Sequence, residues 1–359
     1  MICERTTYVP KPGQFEAVLA MRHRACAVRR EIGLAGGAVF VEDGDHPVVH
    51  WECCFDSPAA QAEDMSRRGG HPAFSAVRAE MNHLVAGFER RLFRRTEAPG
   101  AVIRKTPITG VPIVPEEVEV PSGARTLKGY LCLPPGPGPH PCMVINHGSG
   151  IHQGTTEWCR PGVQSMLMGW GVATLLTHRR GYGNSPGTPW RGDVQAEYGT
   201  EDYDRQLARR LADEAEDVVA ALRYAQGRTE IDAAHVGVMG SSFGGTVTLL
   251  AAASCPEFRC AVEFAGAAMN WERAPGLRAL MLQAAGRLTQ PIFFIQAAND
   301  YSVAPTPALA AAARAAGHSH VEDRVFPGFG LTRDEGHFFY KEGTGVWGPE
   351  VKRFLERWL

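Results

Sequence analysis

The sequence predicts an α/β protein with a doubly wound, mostly parallel sheet over residues 116–359, behind a smaller α+β domain over residues 1–95. Three observations predict this. Beyond residue 140, short continuous apolar runs alternate with helical patterns, the signature of strands buried on both faces and crossed over by helices. The first 95 residues read strand, helix, strand, strand, helix, strand instead. Between the two lies TEAPGAVIRKTPITGVPIVPEEVEVP, residues 96–121, with five prolines and few large apolar side chains. Its first twenty residues, 96–115, are read as a linker.

Composition agrees with two domains. The chain has 359 residues, 44% hydrophobic and 21% charged, which excludes disordered, collagenous and coiled-coil classes. Its 37 basic and 39 acidic side chains give −2, and the first 100 residues balance 13 against 13. No basic stretch points to nucleic acid or an anionic membrane as partner. Nine cysteines without a Cys-x-x-Cys pair are expected to be reduced and buried. With no signal-like start and no run of about 18 apolar residues, the expectation is a cytoplasmic protein.

In the first domain, residues 2–9 read as a strand. Residues 12–31 read as a helix opened by Pro12, with Phe15, Val18, Leu19 and Cys26 at helical spacing. Residues 37–41 and 48–55 form a hairpin around Asp43-Gly44-Asp45-His46-Pro47. Ser57 caps a helix from Pro58, residues 71–84 are helical, and 88–93 is the last strand. Two helices cover one face of a four-stranded sheet, so a second copy of the domain is expected to cover the other.

Asp45-His46-Pro47, Trp51-Glu52 and His71-Pro72-Ala73-Phe74 make this segment similar to the antibiotic-biosynthesis-monooxygenase-like family of dimeric α/β barrels. The resemblance implies a ferredoxin-like fold and a homodimer. Some members oxidise anthrone-type substrates without a cofactor and others handle haem, which would make Trp51, His71 and His83 site residues.

The second domain should open with antiparallel strands at 117–120 and 127–133. The buried runs follow at 142–146, 172–177, 236–239, 260–264, 292–296 and 321–326. A long helix is expected over 205–226, an Ala-rich helix stopped by Gly317, and a closing helix over 349–359.

Two segments match Gly-x-Ser-x-Gly, and context separates them. A nucleophile elbow needs a strand before the serine, a helix after it, and an N–H on the next residue to bind the oxyanion. Ser185 is followed by Pro186, which has no N–H. Ser242 follows the strand pattern His235-Val236-Gly237-Val238-Met239 and precedes the helix pattern of 246–253. Ser242 is therefore the expected nucleophile.

A serine hydroxyl needs a histidine base held in one tautomer by a carboxylate. Of the three histidines after Ser242, His318 and His320 precede a strand and sit at the wrong end of the sheet. His337 follows the strand 321–326 through a ten-residue loop, long and mobile enough to reach the elbow. Asp300, just past 292–296, is the expected orienter, with Glu263 its rival. The oxyanion donors are the N–H groups of Phe243 and Ser149, Gly150 being the alternative to Ser149. Trp158, Tyr182, Trp190 and Trp271 are candidate pocket residues, and Arg179 and Arg180 are expected in structural ion pairs. Residues 265–290 can supply only a small lid.

The elbow, the order Ser-Asp-His, the loop His147-Gly148-Ser149-Gly150 and the segment Arg179-Arg180-Gly181-Tyr182-Gly183-Asn184-Ser185 together resemble the α/β-hydrolase superfamily. Within it they are most similar to dienelactone-hydrolase-like and prolyl-oligopeptidase-like members. Dienelactone hydrolases use cysteine where Ser242 stands here. The resemblance implies a serine hydrolase acting on an ester or lactone, with no metal or organic cofactor. Peptide or carbon–carbon bond cleavage by the same triad, and oxygenase chemistry in the first domain, are the alternatives.

Overall fold

The computed structural model describes residues 2–42, 44, 47–94, 111–154 and 161–359. Asp43, Asp45 and His46 of the expected turn, most of the expected linker, and Trp158 lie outside them. The chain divides into two units, Met1–Glu97 and Ala98–Leu359.

The first unit runs β1 (Ile2–Pro10), α1 (Phe15–Glu31), β2 (Ala38–Glu42), β3 (Val48–Phe55), α2 (Pro58–Gly69), α3 (Pro72–Leu84) and β4 (Val85–Arg94). Its sheet has the order β2-β3-β1-β4, every neighbour antiparallel. Alternation along β1 and β3 sends Tyr8, Val49, Trp51, Cys53 and Phe55 to the helix-covered face, where Val18, Cys26 and Met81 complete a core. Ser57 caps α2 as expected, accepting from the Ala60 N–H. The other face carries ion pairs and polar bonds: Arg5 with Glu52, Thr7 with His50, His50 with Glu42, and Arg91 with Glu89. Phe40 and Phe93 stand exposed among these groups. The face expected to take its cover from a second copy is thus mixed, with two exposed aromatic rings among mostly polar side chains.

One pair of cysteines departs from the reduced state expected of them. Cys3 and Cys54 sit directly opposite on β1 and β3 with Cα atoms 4.1 Å apart, and they form a disulfide. Directly opposed side chains on neighbouring antiparallel strands lie close enough for such a link. Cys26, Cys53, Cys132, Cys142, Cys255 and Cys260 are free and buried, as expected. Burial pushes the thiols of Cys142 and Cys260 up to about 12, so they stay protonated and act as small apolar groups.

The second unit runs β5 (Glu116–Ser122), β6 (Arg125–Cys132), β7 (His140–Asn146), α4 (Pro161–Gly169), β8 (Ala173–Thr177), α5 (Trp190–Asp193), α6 (Glu201–Gln226), β9 (Ile231–Ser241) and α7 (Phe243–Ser254). It continues through β10 (Ala261–Phe264), α8 (Pro275–Ala285), β11 (Ile292–Ala297), α9 (Pro305–Ala315), β12 (Val321–Phe326), α10 (Arg333–His337), α11 (Phe339–Glu342) and α12 (Thr344–Trp358).

These strands form one sheet in the order β12-β11-β10-β9-β7-β8-β6-β5. β5 and β6 are antiparallel to each other, and β6 to β8, while the remaining pairs are parallel. Two cores follow from strands apolar on both faces. One, with α6 to α9, holds Leu207, Leu211, Val238 and Phe294; the other, with α4 and α12, holds Met239, Phe264, Phe293 and Trp347. Leu277, Met281, Ala284 and Ala285 of α8 are buried in the first core, so α8 is part of the helical layer and not a lid. No helix among the described residues is long and apolar enough to cross a membrane.

Candidate active site

Strand β9 ends at Ser241 and α7 begins at Phe243, leaving Ser242 alone to turn the chain. Its φ of 61° lies in the left-handed region, which a side-chain-bearing residue occupies at a cost of about 1–3 kcal/mol. Such a turn forces backbone segments together. A Cβ on Gly244 would stand 2.2 Å from the Asn146 carbonyl oxygen, and one on Gly240 would stand 2.4 Å from the Gly244 carbonyl oxygen. Glycine at both places is what lets β9, β7 and α7 approach closely enough to hold the serine out of the sheet.

The three expected triad residues meet. His337 Nε2 lies 3.0 Å from Ser242 Oγ, and His337 Nδ1 lies 2.8 Å from Asp300 Oδ1. Asp300 is buried just beyond β11, where Gln296 Nε2 donates to its Oδ2 at 2.9 Å and the Tyr301 N–H donates to Oδ1 at 2.6 Å. Gln296 is fixed in turn by Thr306, which donates to its Oε1, and by the Ser302 carbonyl, which accepts from Nε2. Both carboxylate oxygens therefore have donors apart from the histidine, which sets its orientation against the imidazole.

His337 does not hang on the free loop the sequence suggested. Thr332 Oγ1 accepts from the Glu335 N–H and Glu335 Oε2 accepts from the Thr332 N–H, a capping box that closes the first turn of α10. Asn299 ties this segment to the aspartate loop: its Nδ2 donates to the carbonyls of Phe329 and Thr332, and its Oδ1 accepts from the Phe329 N–H. Asp300 and His337 are thus positioned by one hydrogen-bonded unit that straddles β11 and β12.

Glu263, the rival acid, lies at the end of β10 and is wholly buried. Its Oε1 accepts from the Gly266 N–H and its Oε2 has no partner among the described residues. Burial, reinforced by the charge of Asp300 and only partly offset by the Gly266 bond, pushes its carboxyl up to about 8. A carboxyl that stays neutral near pH 7 cannot stabilise an imidazolium, which favours Asp300 as the orienter on chemical grounds.

Gly148, Ser149 and Gly150 line a cavity of ≈250 Å³ together with Ser242 and His337. A Cβ on Gly148 would lie 3.5 Å from the Ser242 Cβ, so the loop after β7 passes directly over the nucleophile. That placement suits Ser149 and Phe243 as the pair of oxyanion donors. The remaining wall is made by Ser241, Met269, Tyr301, Asp334, Phe338, Tyr340 and Lys341. None of these was expected, yet Tyr301 and Phe338 adjoin Asp300 and His337 in sequence, and that adjacency was the available signal.

The expected aromatic residues fall elsewhere. Tyr182 is buried against the His147 ring at 4.6 Å, and Trp271 is packed in the core with α6 to α8. Trp190 stands edge-on to Phe243 at 5.2 Å but is not among the residues lining the cavity. Large apolar rings in strand-end loops are used here to pack the loops onto the sheet. Arg179 and Arg180 are structural, as expected. Arg179 Nε donates to Glu214 at 2.7 Å and its Nη2 to the His147 carbonyl, while Arg180 pairs with Asp217 at 2.9 Å. Ser185 is likewise structural: it is buried, donates to the His178 carbonyl and accepts from the Lys128 N–H.

Residues 160–276, a stretch that contains Ser242, match the model of the prolyl oligopeptidase family. No curated protein sequence matches the chain. Among solved structures, the acylaminoacyl peptidase of Pyrococcus horikoshii is similar over 69% of this chain and 42% of its own, at 17% identity and a TM-score of 0.53. This chain therefore spans less than half the length of that relative. An esterase of Pyrococcus furiosus is similar over 68% of this chain and 91% of its own, at 17% identity and a TM-score of 0.50. These likenesses are of fold: the second unit has the α/β-hydrolase fold, and the Ser-His-Asp constellation of a serine hydrolase stands past the carboxyl ends of its strands.

Proposed function

We propose that the second unit is a serine hydrolase that cleaves a carboxylic ester or lactone through an acyl-enzyme. The observation that carries this reading is the continuous relay Ser242–His337–Asp300, at 3.0 and 2.8 Å, opening into the cavity beneath the Gly148–Ser149–Gly150 loop. Ser242 Oγ attacks the carbonyl carbon as His337 Nε2 takes its proton. Asp300 holds Nδ1–H and stabilises the imidazolium, and the N–H groups of Phe243 and Ser149 receive the oxyanion. His337 then protonates the leaving alkoxide, and water deacylates the serine with the same base.

Ester chemistry is preferred to peptide cleavage because the cavity is small and walled by Met269, Phe338 and Tyr340, which suits a short acyl group better than an extended peptide. The test is kcat/KM for p-nitrophenyl butyrate against an N-acetylaminoacyl p-nitroanilide. An ester preference of about 100-fold or more is expected; the reverse preference would make the protein a peptidase.

The first unit is proposed to be a ferredoxin-like domain that pairs subunits. Its strand-helix-strand-strand-helix-helix-strand order, its sheet order β2-β3-β1-β4 and exposed Phe40 and Phe93 on the face opposite the helices support this reading.

A further inference from the structure

The first unit encloses a cavity of ≈410 Å³ between its sheet and its helices, apart from the hydrolase chemistry. Its walls combine apolar side chains, chiefly Phe74, Val77, Met81 and Phe88, with the guanidiniums of Arg68, Arg78 and Arg90. That volume falls in the range of small-molecule sites. Into the same cavity faces Arg22 of α1, only 4% exposed.

Among the described residues Arg22 is a buried cation without a counter-ion. Its Nη1 donates to the Tyr8 hydroxyl at 2.8 Å and its Nη2 to Cys26 Sγ at 3.6 Å, while its Nε is buried with no partner. Its guanidinium stands 4.8 Å from the Trp51 ring, a contact that orients the charge without neutralising it. The nearby carboxylates are committed elsewhere. Asp64 pairs with Arg29 at 2.6 Å and with Arg68 at 3.3 Å. Glu4 pairs with Arg68 at 2.9 Å and with Arg90 at 3.2 Å. Burial pushes the Glu4 carboxyl up, but hydrogen bonds from Arg68 and Gln61 and the charges of Arg68 and Arg90 outweigh it and hold it charged. The guanidiniums of Arg22, Arg29, Arg68 and Arg90 therefore stand against two carboxylates, and Arg78, over the Phe74 ring, adds a fifth cation at the cavity wall. A buried unpaired charge is costly, and an anion seated in the cavity would offset that cost.

We infer that this cavity binds an aromatic carboxylate, with the ring against Phe74, Val77 and Phe88 and the carboxylate on Arg22 Nε. The test is calorimetric titration of the full chain with 2-naphthoate and with its neutral isostere 2-naphthamide. Wild type should bind naphthoate one to one and at least tenfold more tightly than the amide. Arg22→Met should remove that preference and leave the melting temperature unchanged or higher, because an unpaired buried charge has been replaced by an apolar chain of similar length. Met65→Glu, at an exposed position on the cavity rim, adds a repelling charge without touching the core and should weaken naphthoate several-fold while sparing the amide. Equal affinity for acid and amide, binding of neither at millimolar concentration, or a preference that survives in folded Arg22→Met or in Met65→Glu would overturn the inference.

Discussion

Ser242 is set apart from Ser185 by a single neighbour, because Pro186 removes the N–H that an oxyanion needs while Phe243 supplies one. That distinction was legible in the sequence, as was the order in which Asp300 and His337 follow. What holds the aspartate was not, since Gln296 reads simply as the last polar residue of an apolar strand. Its amide donates to Asp300 Oδ2, and hydrogen bonds to charged groups contribute about 1.5–3 kcal/mol. Gln296→Leu is therefore expected to lower kcat by about 10- to 100-fold with KM little changed, whereas Asp300→Asn, which allows the wrong histidine tautomer, should lower it by about 10⁴. Steady-state kinetics on a p-nitrophenyl ester measures both. Equal losses in the two variants would show that Gln296 does more than orient the carboxylate. The pocket aromatics were misplaced for a related reason: composition marks a tryptophan as buried surface but does not say which side of a loop it covers, and Trp271 went to the core.

Among the elements, the strands of the second unit were the most legible, because a strand buried on both faces declares itself as an unbroken apolar run. Loops were the least. Residues 327–336 read as a long glycine-containing connection, but the structure closes them with the Thr332–Glu335 capping box and the Asn299 clamp, both made by side chains whose partners lie across the fold. Beneath the elbow, Glu263 at the end of β10 gives the fold a definite response to pH. Its carboxyl is raised to about 8 in the folded protein, against an ordinary value near 4.5 when unfolded. Between those values the folded chain keeps a proton on Glu263 that the unfolded chain loses, so the contribution of Glu263 to stability falls as pH rises from about 4.5 to about 8. Glu263→Gln, which mimics the protonated acid, should flatten this dependence, and the gap between the variant and wild-type melting temperatures should widen over that interval. Parallel melting curves from pH 5 to 8 would show that Glu263 is ionised in the folded state.

On the scale of the whole molecule, the even charge along the chain left little to read about partners, and the first unit's role rests on its uncovered sheet face. That face is largely polar, because Arg5 pairs with Glu52 and Thr7 with His50 across β1 and β3. Exposed Phe40 and Phe93 remain available to a second copy. Light scattering on the eluting protein should give twice 39.0 kDa, and Phe40→Glu should return it to the monomer mass. A wild-type monomer at micromolar concentration would remove dimerisation from the proposal while leaving the hydrolase untouched. The central claim remains the nucleophile. Intact mass after treatment with a fluorophosphonate, alongside p-nitrophenyl ester turnover, tests it directly in wild type and Ser242→Ala. The account predicts one covalent adduct and turnover in the wild type and neither in the variant; an unlabelled wild type, or a variant that keeps the activity, would contradict it.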